Sequence, residues 1–308
     1  MASESRTAIY VGIAANVLIA ATKFAAALVT GSSAMVSEGV HSLVDSGDGL
    51  LLLLGQLRGA RPADEDHPLG HGKELYFWSL IVAILFFALG GGMSFYEGVQ
   101  HILRPEAISD PKWNYIVLGA STLFTIWSFT VAFREFHKRA GSRSYWQTFK
   151  RSKDPTIFTL VLEDLADLVG LLFAFIGVYF GHRLGKPWLD GAASIGIGLV
   201  MTVVAILLLR ESKGLLIGEG ATRAERAAIH AAACAEPGVR DVRRIITQYY
   251  GPDTVLVLMD VAFSPDLDTA GIAAAIDRME ARIRELRPAV KHIYVEAESF
   301  KEAARAAP

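Results

Sequence analysis

The chain has 308 residues, 52% of them hydrophobic, and its 30 Lys and Arg against 32 Asp and Glu give a formal charge of −2. That length and apolar content leave room for a membrane bundle plus one small soluble domain, and the near-neutral charge excludes an electrostatic nucleic-acid binder. The single Cys234 excludes an intramolecular disulfide and is read as a buried or unreactive thiol, compatible with a reducing cytoplasmic side.

Met1 to Thr7 is short and polar and leads straight into an apolar stretch without a small-residue cleavage pattern, so no removable signal peptide is expected. Six stretches are long and apolar enough to cross a bilayer core, which takes about 20 residues as helix: 8–30, 34–58, 75–101, 114–136, 156–181 and 188–209. Several contain polar residues, which makes them bundle helices rather than simple anchors. An even number of spans leaves both termini on one side, and basic residues choose that side. The second-to-third connection carries Arg58, Arg61 and Lys73, and the fourth-to-fifth carries Arg134, Lys138, Arg139, Arg143, Lys150, Arg151 and Lys153. The opposite loops hold only Arg104, Lys112, Arg183 and Lys186. The expectation is an integral membrane protein with both termini cytoplasmic, a bacterial inner-membrane topology.

After Arg210 the composition changes, and the segment from about Gly214 reads as a compact α+β unit. Thr222 to Glu236 is Ala-rich and helical, with Thr222 as N-cap and Glu225 three residues on, a capping box. Arg243 to Tyr250 and Thr254 to Phe263 read as strands joined at Gly251, Pro252 and Asp253. Asp268 to Leu286 has helical periodicity and Val290 to Ala297 reads as a last strand, completing an αββαβ order. The chain is thus divided into a six-helix membrane domain at 1–213 and a soluble domain at 214–308.

Two acidic pairs at helical spacing lie deep inside apolar spans: His41 with Asp45 in the second, and Glu163 with Asp167 in the fifth. Ionisable side chains in a span are costly and need a partner or a function. Residues four apart share a helix face, so each span presents two ligands to one point, and a divalent cation between the two helices is the simplest account. Asp48, one turn beyond Asp45, and Asp164, beside Glu163, are additional candidates. One imidazole and three carboxylates close a tetrahedral N/O shell, which suits zinc and admits manganese, iron or cobalt. A purely structural role would need these carboxylates to be satisfied by Ser, by backbone groups or by Lys23 of the first span, a costly way to hold helices together. Glu38 and Asn16 are near enough to line a path, although for Asn16 an ordinary helix-to-helix hydrogen bond is preferred.

A second constellation, Asp64-x-x-His67-Pro68-x-Gly70-His71-Gly72-Lys73, stands just before the third span. A helical turn would gather Asp64, His67 and His71, whereas Pro68 and Gly70 make a loop. An exposed second metal site, an entry relay and a plain polar loop are equally open on spacing alone.

Ser37 to Asp45, the Asp64/His67/His71 loop, the acidic pair of the fifth span and the exit Leu215-Leu216-Ile217-Gly218-Glu219 together resemble the cation diffusion facilitators, over nearly the whole chain. The resemblance implies a homodimeric exporter with six helices per subunit and a ferredoxin-like cytoplasmic domain that helps dimerise. It places His41 and Asp45 on the second-helix ligand pair, Glu163 and Asp167 on the fifth-helix pair, and Asp64, His67 and His71 on a loop site. Many zinc-handling members have His and Asp on the fifth helix. The Glu163/Asp167 pair instead resembles the branch that includes the mitochondrial zinc transporters, and it hardens the shell. Glu296 and Glu298, which share a strand face, fall where some members bind metal in the cytoplasmic domain. Arg243 and Met259 stand at two further ligand positions there, so any metal in the tail is weakly held. His230 and His292 are read as surface residues.

Metal binding needs neutral imidazole and ionised carboxylates, so loading expels protons and acid expels metal. This gives proton-coupled export by alternating access, with His41 the natural titrating partner because an unperturbed imidazole titrates near about 6.5. The expected cargo is Zn2+, with Mn2+, Fe2+ or Co2+ admitted; no organic cofactor and no enzymatic activity are expected. The alternatives are a membrane metal sensor without transport and a membrane metalloenzyme. The latter would need more histidine motifs than the single His67-x-x-x-His71.

Overall fold

The computed structural model describes residues 2–30, 33–104, 111–141, 144–186 and 188–298. Long helices come first: α1 (Ala2–Thr30), α2 (Ser33–Gly59), α3 (Lys73–Leu85), a π-helical turn (Phe86–Gly92), α4 (Met93–Leu103), α5 (Pro111–Ala140), a short α6 (Tyr145–Arg151), α7 (Pro155–Leu184) and α8 (Trp188–Ile217). The soluble order is α9 (Arg223–Cys234), β1 (Val239–Gly251), β2 (Thr254–Phe263), α10 (Thr269–Leu286) and β3 (Val290–Glu298), the expected αββαβ. By their contacts, Met1–Leu57 with Leu75–Lys213 form one unit, and Arg58–Glu74 with Gly214–Pro308 form another.

The stretches Thr7–Ala25, Lys73–Leu103, Asn114–Ala140 and Trp188–Ile217 are long and apolar enough to cross a membrane. The helices α2 and α7, of 27 and 30 residues, match them in length and carry the acidic residues. The third span is continuous from α3 through the π turn into α4, where sequence periodicity predicts one regular helix. The extra residue per turn falls at Gly90, Gly91 and Gly92. These glycines belong to a close antiparallel crossing. A Cβ at Gly98 would lie 2.7 Å from the Gly191 carbonyl oxygen, and one at Gly198 would lie 2.8 Å from that of Gly91. Without side chains at these two levels, α4 and the π turn approach the α8 backbone directly.

The short helix α6 was not foreseen in the basic fourth-to-fifth connection. Phe149 holds it, buried against Phe158 of α7 with ring centroids 5.0 Å apart. The helix α7 then starts on an Asp154 N-cap that accepts the Thr156 N–H at 3.1 Å, with Pro155 at its first position, and stops at Gly185 with φ +61°. The last span runs on to Ile217 rather than ending near 209, because Ser212 and Leu215 are still fully buried.

In the second unit, β2 is central, antiparallel to β1 and parallel to β3. Alternation sends Val255, Val257, Met259, Val261 and Phe263 into a core with Ile229 and Ala233 of α9 and Ala275, Met279 and Ile283 of α10. The Thr222 capping box forms: Glu225 N–H donates to Thr222 Oγ1 and Thr222 N–H to Glu225 Oε2. Arg278 Nε reaches the buried Glu236 at 2.7 Å and locks the end of α9 to α10. Because Ile229 and Ala233 take the inner face of α9, Cys234 is turned outward. It is exposed, not buried, with Sγ 3.6 Å from Nδ1 of the exposed His230.

Candidate functional site

In the first unit, α1, α2, the π turn and α7 enclose a cavity of about 20 Å³, room for one water molecule or one ion. Asp45 and Asp48 of α2 and Glu163, Asp164 and Asp167 of α7 line it, together with Asn16 of α1 and Phe86 of the π turn. Gly12 and Gly49 leave the space open. A side chain at Gly49 would come within 2.7 Å of Ile13 Cγ1, so α1 and α2 approach closely there.

The five carboxylates meet without a basic side chain among the described residues that line the cavity. Asp48 and Asp164 are buried. Ser128 of α5 donates to Asp164 Oδ2 at 2.9 Å, and Glu163 Oε1 is buried with no hydrogen-bond partner among the described residues. Lys23, also buried, donates to Ser42 at 2.9 Å and does not line the cavity. Carboxylates crowded into one small space repel one another, and bound protons or a cation relieve that repulsion. Carboxylate oxygens converging on a one-ion space form a donor set for a divalent cation.

The sequence pairs Asp45 and Glu163/Asp167 therefore do meet, and Asp48 and Asp164 stand on the same lining. His41 lies in α2, but its side chain is outside the described residues, as is that of Glu38. Asn16 of α1 lines the cavity with Asp45 and Glu163. Ser128 and Phe86 carry no sequence signal, because each arrives from a helix whose own acidic content is nil at that depth.

A second cluster lies in the 58–74 loop. Ligand atoms of Asp64, His67 and His71 all lie within 4.8 Å of one another. Asp64 accepts from the His67 backbone N–H at 2.7 Å; its Oδ1 lies 3.2 Å from His67 Nδ1 and its Oδ2 2.9 Å from His71 Nε2. The imidazole centroids are 4.2 Å apart, with the rings tilted by 37°. Hydrogen bonding to the His71 side chain and the His67 backbone holds the Asp64 carboxyl down at about 2. The geometry is a loop, not a helical turn: Gly70 takes φ +84° and donates to the His67 carbonyl at 2.9 Å. This loop rests on the β1–β2 turn. Gly72 packs on the Tyr250 carbonyl, where a Cβ would collide, and Lys73 Nζ sits 4.7 Å over the Tyr250 ring.

In the tail, Glu296 is exposed opposite Asp260 on the outer sheet face, and Glu298 is in β3 with its side chain outside the described residues. Met259 is buried in the core on the opposite face, and Arg243 sits exposed at an irregularity of β1. Met259 and Glu296 cannot share a ligand because adjacent register positions point to opposite faces. His292 is half-buried.

The model of the cation efflux transmembrane domain matches residues 9–217, and that of the cation efflux protein cytoplasmic domain matches residues 221–300. The chain is 30% identical to the proton-coupled zinc antiporter SLC30A9, mitochondrial, of Xenopus laevis, over 94% of this chain and 58% of that protein. It is 31% identical to metal tolerance protein C4 of Arabidopsis thaliana, over 70% of this chain and 48% of that one. To the magnetosome protein MamM of Paramagnetospirillum magneticum it is 23% identical, over 96% and 88%. The chain thus spans little more than half the length of the SLC30A9 relatives it matches. With both models matched in chain order, the chain is an integral membrane protein, a helical transmembrane domain followed by a ferredoxin-like domain, and belongs to the cation efflux family.

Proposed function

We propose that this protein is a proton-coupled exporter of divalent metal cations, with zinc as its principal cargo. The observation that carries the reading is a cavity lined by five carboxylates, with no basic group among the described residues of its lining. The core ligands are His41, Asp45, Glu163 and Asp167, with Asp48 and Asp164 completing the charge around them. Zinc is supported by the likeness to the proton-coupled zinc antiporter SLC30A9, and proton coupling by the chemistry of the donors. Carboxylates and imidazole bind metal only when deprotonated, so a cation entering from a neutral side displaces protons and protons from an acidic side displace the cation. The cavity holds one ion's worth of space, so the exchange is one of occupancy and needs no second compartment.

In this reading, residues 1–213 carry transport, and both termini and the tail face the cytoplasm of a bacterial inner membrane, as the basic connections favour. Residues 214–308 dimerise. The exposed Ile246, Leu258 and Tyr294 lie at paired positions on the outer sheet face and offer the apolar surface for a second copy. Asp64, His67 and His71 bind a further, more accessible metal, and Glu296 and Glu298 at most a weak one.

The test is zinc and manganese flux into proteoliposomes under an imposed pH gradient. Zinc flux that needs the gradient and stops with Asp45→Ala supports the reading. Zinc binding without flux of any divalent metal would replace it with a sensor.

A further inference from the structure

The connection between α5 and α7 holds features that ion transport does not use. From Arg134 to Asp154 there are seven Lys or Arg against two carboxylates, Glu135 and Asp154. Both carboxylates are taken up by Arg139, which reaches Glu135 Oε1 at 3.4 Å and Asp154 Oδ2 at 2.7 Å. Glu135 is buried and is also met by Lys138 Nζ at 3.5 Å, so what this connection shows to its surroundings is positive: Arg134 and Lys150 are exposed.

The helix α6 adds an aromatic face to that charge. Phe149 points into the bundle, while Tyr145 and Trp146 are 45% and 53% exposed. Their positions are fixed. The Tyr145 hydroxyl is 2.9 Å from His137 Nδ1, Trp146 stacks on Phe149 at 5.5 Å, and Lys150 Nζ stands 5.0 Å over the Trp146 ring. A short helix pinned along one edge, with two amphipathic rings and a lysine presented together at the end of two membrane spans, fits the boundary between acyl chains and headgroups. Clustered basic residues in that place attract anionic headgroups.

We propose that α6 is a docking surface for anionic phospholipid, with Trp146 and Tyr145 set at the acyl–headgroup boundary and Lys150, with Arg134, at the lipid phosphate. The surface leads directly into the transport helix, because Ser152 Oγ donates to the Asp154 carbonyl at 3.0 Å and Asp154 caps α7. Bound lipid therefore fixes the end of the helix that carries Glu163 and Asp167.

The test uses the full chain in vesicles containing a fixed fraction of brominated lipid, either phosphatidylcholine or phosphatidylglycerol, and reads tryptophan quenching. Subtracting Trp146→Phe isolates Trp146 from the other four tryptophans. The Trp146 signal is expected to be quenched at least about twofold more by brominated phosphatidylglycerol, a preference that survives Lys150→Arg and vanishes in Lys150→Glu with Arg134→Glu. It should also collapse toward about 1 M salt, where the screening length falls to about 3 Å. Equal quenching by the two lipids, a preference unchanged in the charge-reversed variant, or displacement by inorganic phosphate would each overturn the proposal. The readout does not involve metal, so it stands or falls separately from the transport reading.

Discussion

The two ligand clusters of this protein use similar side chains in opposite circumstances. In the 58–74 loop, one carboxylate is surrounded by donors, two imidazoles and a backbone N–H, and the group is exposed and satisfied by its own hydrogen bonds. In the cavity between α1, α2 and α7, five carboxylates face one another with Ser128 as a hydrogen-bond donor to Asp164 and with Glu163 Oε1 lacking a partner among the described residues. The loop is stable as it is and can add a metal. The cavity gathers carboxylates with no basic side chain among the described residues of its lining, an arrangement that bound protons or a cation would relieve. The contrast teaches that a donor's identity says less about its task than whether its surroundings have already answered it.

Removing a ligand from each cluster tests this most directly. Asp45→Ala is expected to lower zinc flux in proteoliposomes by at least about 100-fold, beyond what loss of a supporting partner costs a metal site. Asp64→Ala should lower it less than about fivefold, as suits an exposed contact. Equal losses in the two variants would collapse the comparison. A smaller effect sharpens it. Ser128→Ala takes a hydrogen bond from the buried Asp164, worth about 1.5–3 kcal/mol when the acceptor is charged, so initial flux should fall roughly tenfold or more, with partial recovery in Ser128→Thr.

Gly72→Val should act on the loop alone. Its side chain would press on the Tyr250 backbone, overpacking worth about 1–3 kcal/mol, so hydrogen exchange across 58–74 should quicken while zinc flux changes less than in Ser128→Ala. The smallest effect is one of pH. The Asp64 carboxyl titrates near 2 in the folded loop against an ordinary 3.8. Its contacts therefore favour the folded loop above about pH 4 and are lost as the pH falls toward 2. A carboxyl resonance of Asp64 followed by NMR should have its midpoint near 2, and a midpoint near 3.8 would show that the His71 and His67 contacts do not persist in solution.

Much of this was legible from spacing. Asp45 on one helix and Glu163 with Asp167 on another were expected at one point, and the cavity brings them there, because four residues per step keep side chains on one helix face. The capping box at Thr222 and the hairpin after Tyr250 formed because their chemistry is local and needs no neighbour. What escaped the reading depended on contacts made from elsewhere. Ser128 of α5 reaches the buried Asp164 from a helix that carries no acidic pair. The helix α6 lacks the length to announce itself and exists because Phe149 has Phe158 to pack against. Cys234 was expected to be buried or unreactive, and the inward faces of Ile229 and Ala233 turned it out.

The order of the long spans and of the soluble αββαβ elements, the two pairs of acidic residues, and the kind of chemistry they invite were determined by the sequence alone, since each rests on periodicity or on residue type. Tertiary structure alone decided that Asp48 and Asp164 share the cavity, that Ser128 answers one of them, and that the histidine loop rests on the β1–β2 turn. The reason is physical: charge balance depends on distances between helices far apart in the chain, and those distances are set by which glycines let two backbones approach and which side chains hold them apart.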